Sequence, residues 1–283
     1  MVSRIIGFYL TCVVAASSNF LFSASPYRVS IITSVYKGDD YIEEFMQDIT
    51  RQTIFDQCEL IMINANSPHN EEPVIKRYME QYPNIVYLRL EEDPGLYAVW
   101  NIGIKMASAD YVTNANLDDR LNPCCYEKHA QALDEDSTVD LAYSGVYITT
   151  KPHETFENNS ANGFTIWQST RDFNKDLLIR KFVPYPCNNP MWRKSLHHYY
   201  GLFDERFRSA GDLEMWLRAV IFGDVKFKRV DGIHGLYYWN PNGLSSSEFP
   251  GASATGTREK EILRKTYHEL YDTVFQQIEF LDR

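Results

Sequence analysis

Asp118 and Asp119 are adjacent carboxylates near the end of the run Ala109-Asp110-Tyr111-Val112-Thr113-Asn114-Ala115-Asn116-Leu117-Asp118-Asp119-Arg120. The β-favouring piece 111–113 feeds directly into the turn that carries them. Open α/β sheets bind ligands outside the carboxyl ends of their strands, which is where such a turn falls. Two acids this close repel each other. A hard cation neutralises them, and Mn²⁺ or Mg²⁺ shared with a phosphate is the chemistry that fits. A solvated turn is the competing reading, since Asn, Asp and Arg are ordinary turn residues. Two further acids, Asp212 and Glu214, lie in the stretch 209–222, which reads as a helix.

The elements that must position these groups alternate. Residues 29–35 form a β-rich run with few polar breaks, as in a strand buried on both faces. A turn at 36–40 leads into a helix over 41–51, where Ile42, Phe45, Met46 and Ile49 share a face and Asp40 is the expected cap. Strands follow at 59–63, 85–88 and 111–113, separated by helices at 71–81 and from Pro94-Gly95 to about 107. Strand and helix alternating through short loops predict a doubly wound, mostly parallel α/β sheet. Beyond it, 141–149 and 225–230 read as strands, 151–161 as an exposed loop or flap, 245–256 as a small-residue loop, and 258–281 as a long helix. The main domain is therefore expected over 26–240, followed by a C-terminal loop and helix over 241–283.

The 283-residue chain is long enough for a substantial core, and its net charge is −10. That charge argues against non-specific nucleic-acid binding, which needs a basic face. It leaves room for nucleotide phosphates where a metal supplies positive charge locally. An aromatic content of 14% suits a sugar-binding surface or a large core equally. The five cysteines, two of them the adjacent Cys124 and Cys125, form neither a zinc spacing nor a disulfide framework. At the start, Arg4, the apolar run 5–14 and the small residues Ser23-Ala24-Ser25 describe a secretory signal peptide. An uncleaved membrane anchor and a misplaced start are the alternatives, and residues 1–25 are excluded from the fold in each case.

The stretch Gly95-Leu96-Tyr97-Ala98-Val99-Trp100-Asn101-Ile102-Gly103-Ile104-Lys105-Met106-Ala107, then Ser108-Ala109-Asp110-Tyr111 and Asn116-Leu117-Asp118-Asp119, resembles family 2 glycosyltransferases. The likeness runs from about 29 to 238. Within it, 31–36 look like the first nucleotide-binding element. Pro190-Met191-Trp192-Arg193-Lys194-Ser195 and Gly201-Leu202-Phe203-Asp204-Glu205 look like the acceptor-side segment, and 210–218 like the catalytic helix.

The resemblance implies the GT-A fold and inverting sugar transfer from a nucleoside-diphosphate sugar to a hydroxyl acceptor, either a glycan or a lipid-linked sugar. It implies Asp118 as the carboxylate for Mn²⁺ or Mg²⁺. Asn116 stands where the family usually has the first Asp of Asp-x-Asp, and Asp119 assists the metal, orients the donor sugar or caps the next turn. Asp212 matches the proton-accepting base, with Gly211 where the family often has Glu. Glu214 is the fallback base. His234 either joins the metal shell or is structural.

For the nucleotide, Thr33, Val35 and Tyr36 end the first strand, with Tyr36 placed to stack on a base. Asn64, Asn66 and Ser67 end the second and are candidates for base or ribose hydrogen bonds, as is Asp39. Arg120, Arg193 and Lys194 are candidate diphosphate partners, and Trp192 and Trp216 serve either a sugar ring or the core.

A nucleotidyltransferase shares the sheet and the acidic site, but it would open with a Gly-rich basic loop, and Tyr36-Lys37-Gly38-Asp39-Asp40 is too poor in both. A catalytically inactive GT-A domain that binds sugar or protein is the non-enzymatic alternative, favoured by Asn116 and Gly211. The leader predicts a secretory-pathway or membrane-associated location, with the domain on the cytoplasmic face in a bacterial host.

Overall fold

The computed structural model describes residues 25–161, 163, 165, 170–184, 186, 189–241, 243–244 and 254–281. The leader, apart from Ser25, and most of the small-residue loop lie outside them. The expected alternation is present as β1 (Val29–Val35), α1 (Ile42–Thr50), β2 (Cys58–Asn64), α2 (Glu72–Met79), β3 (Ile85–Arg89), α3 (Leu96–Met106) and β4 (Tyr111–Asn114). It continues through β5 (Arg120–Leu121), α4 (Cys125–Glu135), β6 (Leu141–Thr149), α5 (Lys175–Lys181), β7 (Met191–Arg193), α6 (Leu196–Tyr200), α7 (Gly211–Phe222), β8 (Phe227–Tyr238) and α8 (Ala254–Leu281). The strands form one sheet in the order β3-β2-β1-β4-β7-β6-β8-β5. The β3-β2-β1-β4 half is wholly parallel, while β7 runs antiparallel to both its neighbours.

The apolar run of β1 follows from burial on both faces. Ile31 and Val35 pack into a core with Phe45 and Met46 of α1 and Ile75 of α2, while Ile32 packs into the opposite core with Val99 of α3 and Trp216 of α7. Ile42, Phe45, Met46 and Ile49 are buried, as their shared face predicts. Asp40 does not cap α1. The cap position is Tyr41, whose side chain makes no capping bond; the turn closes instead through the amides of Tyr41 and Ile42, each donating to the Gly38 carbonyl at 2.9 Å. β8 is longer than the expected 225–230. At Asp231-Gly232 the β6–β8 pairing shifts register around Gly145, and the strand runs on beyond it to Tyr238.

His129 of α4 is fully buried beside the ring of His234, at 6.2 Å between centroids. Burial, followed by His234, pushes its imidazole down to about 3. The unfolded imidazole takes its proton near pH 6.5 and the folded one only near 3, so stability falls as pH drops below 6.5 and is unaffected above it. His129→Leu should therefore reduce the stability lost between pH 7 and pH 5 by about 2 kcal/mol relative to the parent chain. Urea midpoints of both chains at the two pH values check this, and an equal loss in both overturns it.

Candidate active site

The sheet places the acidic turn at its switch point. β1 has β2 on one side and β4 on the other, all parallel, so the crevice outside the carboxyl ends of β1 and β4 is the ligand position of such a sheet. Tyr36 leaves β1 there, and Asn116 to Asp119 leave β4. The two loops touch: a Cβ on Gly38 would lie 2.3 Å from Leu117 Cδ1, so Gly38 is what allows them to close.

The acid pair is held from three directions. Asn116 Nδ2 donates to Asp119 Oδ2 at 2.9 Å, the Tyr238 amide to Asp119 Oδ1 at 3.0 Å, and Asn240 Nδ2 to Asp118 Oδ2 at 3.1 Å. Burial pushes the Asp118 carboxyl above its usual range. Burial and then the Asp118 charge push Asp119 well above it. A divalent cation offsets that cost, and oxygen donors match Mg²⁺ or Mn²⁺, so the residues present fit such an ion. These ions commonly complete their shell with substrate phosphates and water.

Tyr238 and Asn240 hold the acid pair through contacts that sequence reasoning missed. Their only signal is the polar exit of β8. Tyr41 also belongs here: its phenol is pushed up to about 12 by burial, then by Tyr238 and Asp118. The expected flap 151–161 folds back onto α1. His153 stacks on Tyr41 with centroids 5.5 Å apart and meets Glu44 at 3.1 Å, and Glu157 pairs with Arg51 at 2.7 Å.

Asp212 is the second residue of α7, where the positive end of the helix favours a carboxylate. Its Oδ1 accepts from the Tyr97 hydroxyl at 3.1 Å and the Leu213 amide at 2.9 Å. Tyr97 opens α3, which follows the carboxyl end of β3, so Asp212 shares the sheet edge of Asp118. Glu259 of α8 anchors the approach to α7, accepting from the amides of Arg208, Ser209 and Ala210 at 2.8, 2.9 and 3.0 Å. Glu214 is not placed as a base. It is buried, ion-paired with Arg218 at 2.8 Å and bonded by the Tyr267 hydroxyl, because two residues along a helix turn a side chain towards the opposite face.

On the nucleotide side, Tyr36 is 42% exposed and Asn66 is exposed at a positive φ of 52°. Asp39 accepts from the Asn70 amide at 2.8 Å and faces His69 at 3.6 Å. Among the described residues, Asp39, His69 and the buried Glu71 are the group of three His, Cys, Asp or Glu side chains that lie close enough to share a cation, and Asp118 is not part of it. Thr33, Val35 and Asn64 are buried within the strands rather than presented to a ligand. Asn64 Oδ1 instead accepts from the Ser67 amide at 2.8 Å and shapes the loop.

Other expectations are corrected by position. Arg193 pairs in register with Tyr111, at the amino edge of β4, and donates to the Leu133 and Val139 carbonyls at 2.6 and 2.8 Å. Lys194 reaches the Ala107 carbonyl at 2.8 Å. Both lie at the wrong end of the sheet for a diphosphate. Arg120 is buried against the Leu117 and Asp119 carbonyls and Glu44, and braces the turn from behind. His234 is buried against His129, with Nε2 2.9 Å from the Asp231 carbonyl, and is not brought to Asp118. Trp192 and Trp216 are core residues in T-shaped contact at 5.3 Å.

A parallel half-sheet with buried carboxylates at its switch point, a mixed half completing it and an acid at the start of a helix on the same edge define a GT-A domain. The sequence model of glycosyl transferase family 2 matches residues 30–200, and the chain belongs to that family. It is 27% identical over 226 residues to the uncharacterized glycosyltransferase YwdF of Bacillus subtilis, covering 80% of this chain and 79% of YwdF. It is 25% identical to the minor teichoic acid biosynthesis protein GgaB of the same organism, covering 67% of this chain and 20% of GgaB. In structure it is similar to TarS residues 1–349 from S. aureus in complex with UDP-GlcNAc, with a TM-score of 0.62 and 17% identity over 79% of this chain and 62% of that one. It is also similar to a Pyrobaculum calidifontis mannosyltransferase in complex with GDP-Man and Mn²⁺, with a TM-score of 0.58 and 16% identity over 78% of this chain and 61% of that one. The chain thus spans about three fifths of these solved structures and about a fifth of GgaB. Among the described residues, no helix is long and apolar enough to cross a membrane.

Proposed function

We propose that this chain transfers one sugar from a nucleoside-diphosphate donor to a hydroxyl of a glycan or lipid-linked acceptor, with inversion at the anomeric carbon. What supports this reading is the Asp118–Asp119 pair in the turn after β4, at the switch point of the sheet, together with Asp212 at the start of α7, bonded to Tyr97 beyond the carboxyl end of β3. Asp118 holds the divalent cation, and Asp119, fixed by Asn116 and Tyr238, orients the donor beside it. Bound there, Mn²⁺ or Mg²⁺ offsets charge on the departing diphosphate. Asp212 accepts the proton of the attacking hydroxyl from the face opposite the leaving group. Tyr36, Asp39 and Asn66 line the base and ribose side.

The ligands named for the structural neighbours, UDP-GlcNAc and GDP-Man, support the donor class, and GgaB supports a polymeric glycan acceptor. The leader supports membrane or secretory targeting. Calorimetric titration of UDP and GDP, with and without Mn²⁺, followed by transfer assays over a panel of UDP- and GDP-sugars, tests the reading. Mn²⁺-dependent binding of one nucleotide and transfer from one of its sugars are expected. Nucleotide binding without transfer or donor hydrolysis would reduce the domain to a binding module.

A further inference from the structure

Gly211 departs from the pattern this chain resembles, and its surroundings supply the cause. A Cβ on Gly211 would lie 2.7 Å from Cδ2 and Cε2 of Tyr97 and 2.9 Å from its Cζ. Any side chain there displaces the ring. The ring cannot readily yield, because it is 2% exposed and packs on Trp100 and Phe203 with centroids at 5.3 and 5.8 Å. A phenol locked in this way holds its hydroxyl 3.1 Å from Asp212 Oδ1. Burial and then the Asp212 charge push that phenol well above its usual range, so it stays protonated and donates. Packing alone does not call for the oxygen, since Phe fills the same ring-shaped space.

We propose that Tyr97 is a positioning residue for the proton acceptor Asp212, and that Gly211 is present because the Tyr97 ring needs its space. The hydroxyl and the Leu213 amide both bind Oδ1, so the carboxylate cannot rotate freely about its bond to Cβ. The carboxylate is thereby held at one angle at the start of α7. A Glu at 211 would displace the ring and with it this restraint. The inference rests on Asp212 being the base of the proposed transfer.

The test is a double-mutant cycle of Tyr97→Phe and Asp212→Asn in the full chain, with kcat and donor KM measured for each. Tyr97→Phe should keep the fold, leave donor KM within about twofold and lower kcat by about 10- to 100-fold, the scale of a misplaced reacting group. In the Asp212→Asn background the same change should cost nothing further, because the two residues act as one unit. An unchanged kcat for Tyr97→Phe, or an equal loss in both backgrounds, overturns the proposal while leaving the transfer reading intact. Full activity of Asp212→Asn removes the base assignment and this proposal together.

Discussion

Asp212→Asn is expected to lower kcat for sugar transfer by about 10³-fold and to leave Mn²⁺-dependent nucleotide binding unchanged. The amide oxygen of Asn still accepts from the Tyr97 hydroxyl and the Leu213 amide, so the start of α7 keeps its shape. Only the capacity to take a proton is lost. Glu214 does not substitute for it, because its carboxylate is committed to Arg218 and Tyr267 on the far side of the helix. Paired measurements of donor affinity and turnover separate the two effects. Equal turnover by variant and parent would show that the acceptor proton goes elsewhere.

Asp118→Asn is expected to lower kcat by about 10²–10³-fold and to abolish the dependence of nucleotide binding on Mn²⁺. The Asn240 contact survives, since an amide oxygen also accepts a hydrogen bond. The lost charge is what recruits the cation. The same change raises the stability of the metal-free chain, because it relieves the repulsion that helps push Asp119 well above its usual range. The variant should therefore melt higher than the parent without Mn²⁺ and gain nothing when the ion is added, whereas the parent gains. A parent-like gain in melting temperature on adding Mn²⁺ would place the ion elsewhere, and the Asp39, His69 and Glu71 group is the next set to vary.

Much of this arrangement is legible in the sequence because it is local. The β-rich run of β1, with few polar breaks, already states burial on both faces, and the spacing of Ile42, Phe45, Met46 and Ile49 already states which side of α1 packs. The acid pair is legible for a similar reason: it directly follows a short strand, and strand ends in such sheets are where ligands sit. The misreadings share a different character. Arg193 and Lys194 have the charge that a diphosphate needs, but β7 enters the sheet antiparallel and carries them to its amino edge. The alternation that marks the last strand stops at 230, but pairing with β6 across a register shift carries β8 on to Tyr238. His234 has ligand chemistry, but α4 packs His129 against it.

By itself the sequence determined the parallel half of the sheet, the helices that cover it, and the identity of Asp118, Asp119 and Asp212 as the acids to consider. Only the tertiary structure decided which of the remaining polar residues face the crevice, that Tyr238 and Asn240 hold the acid pair, and that Gly211 makes room for Tyr97. Periodicity records which face of an element is buried, whereas a contact such as Tyr97 with Asp212, 115 positions apart, exists only once two elements have crossed.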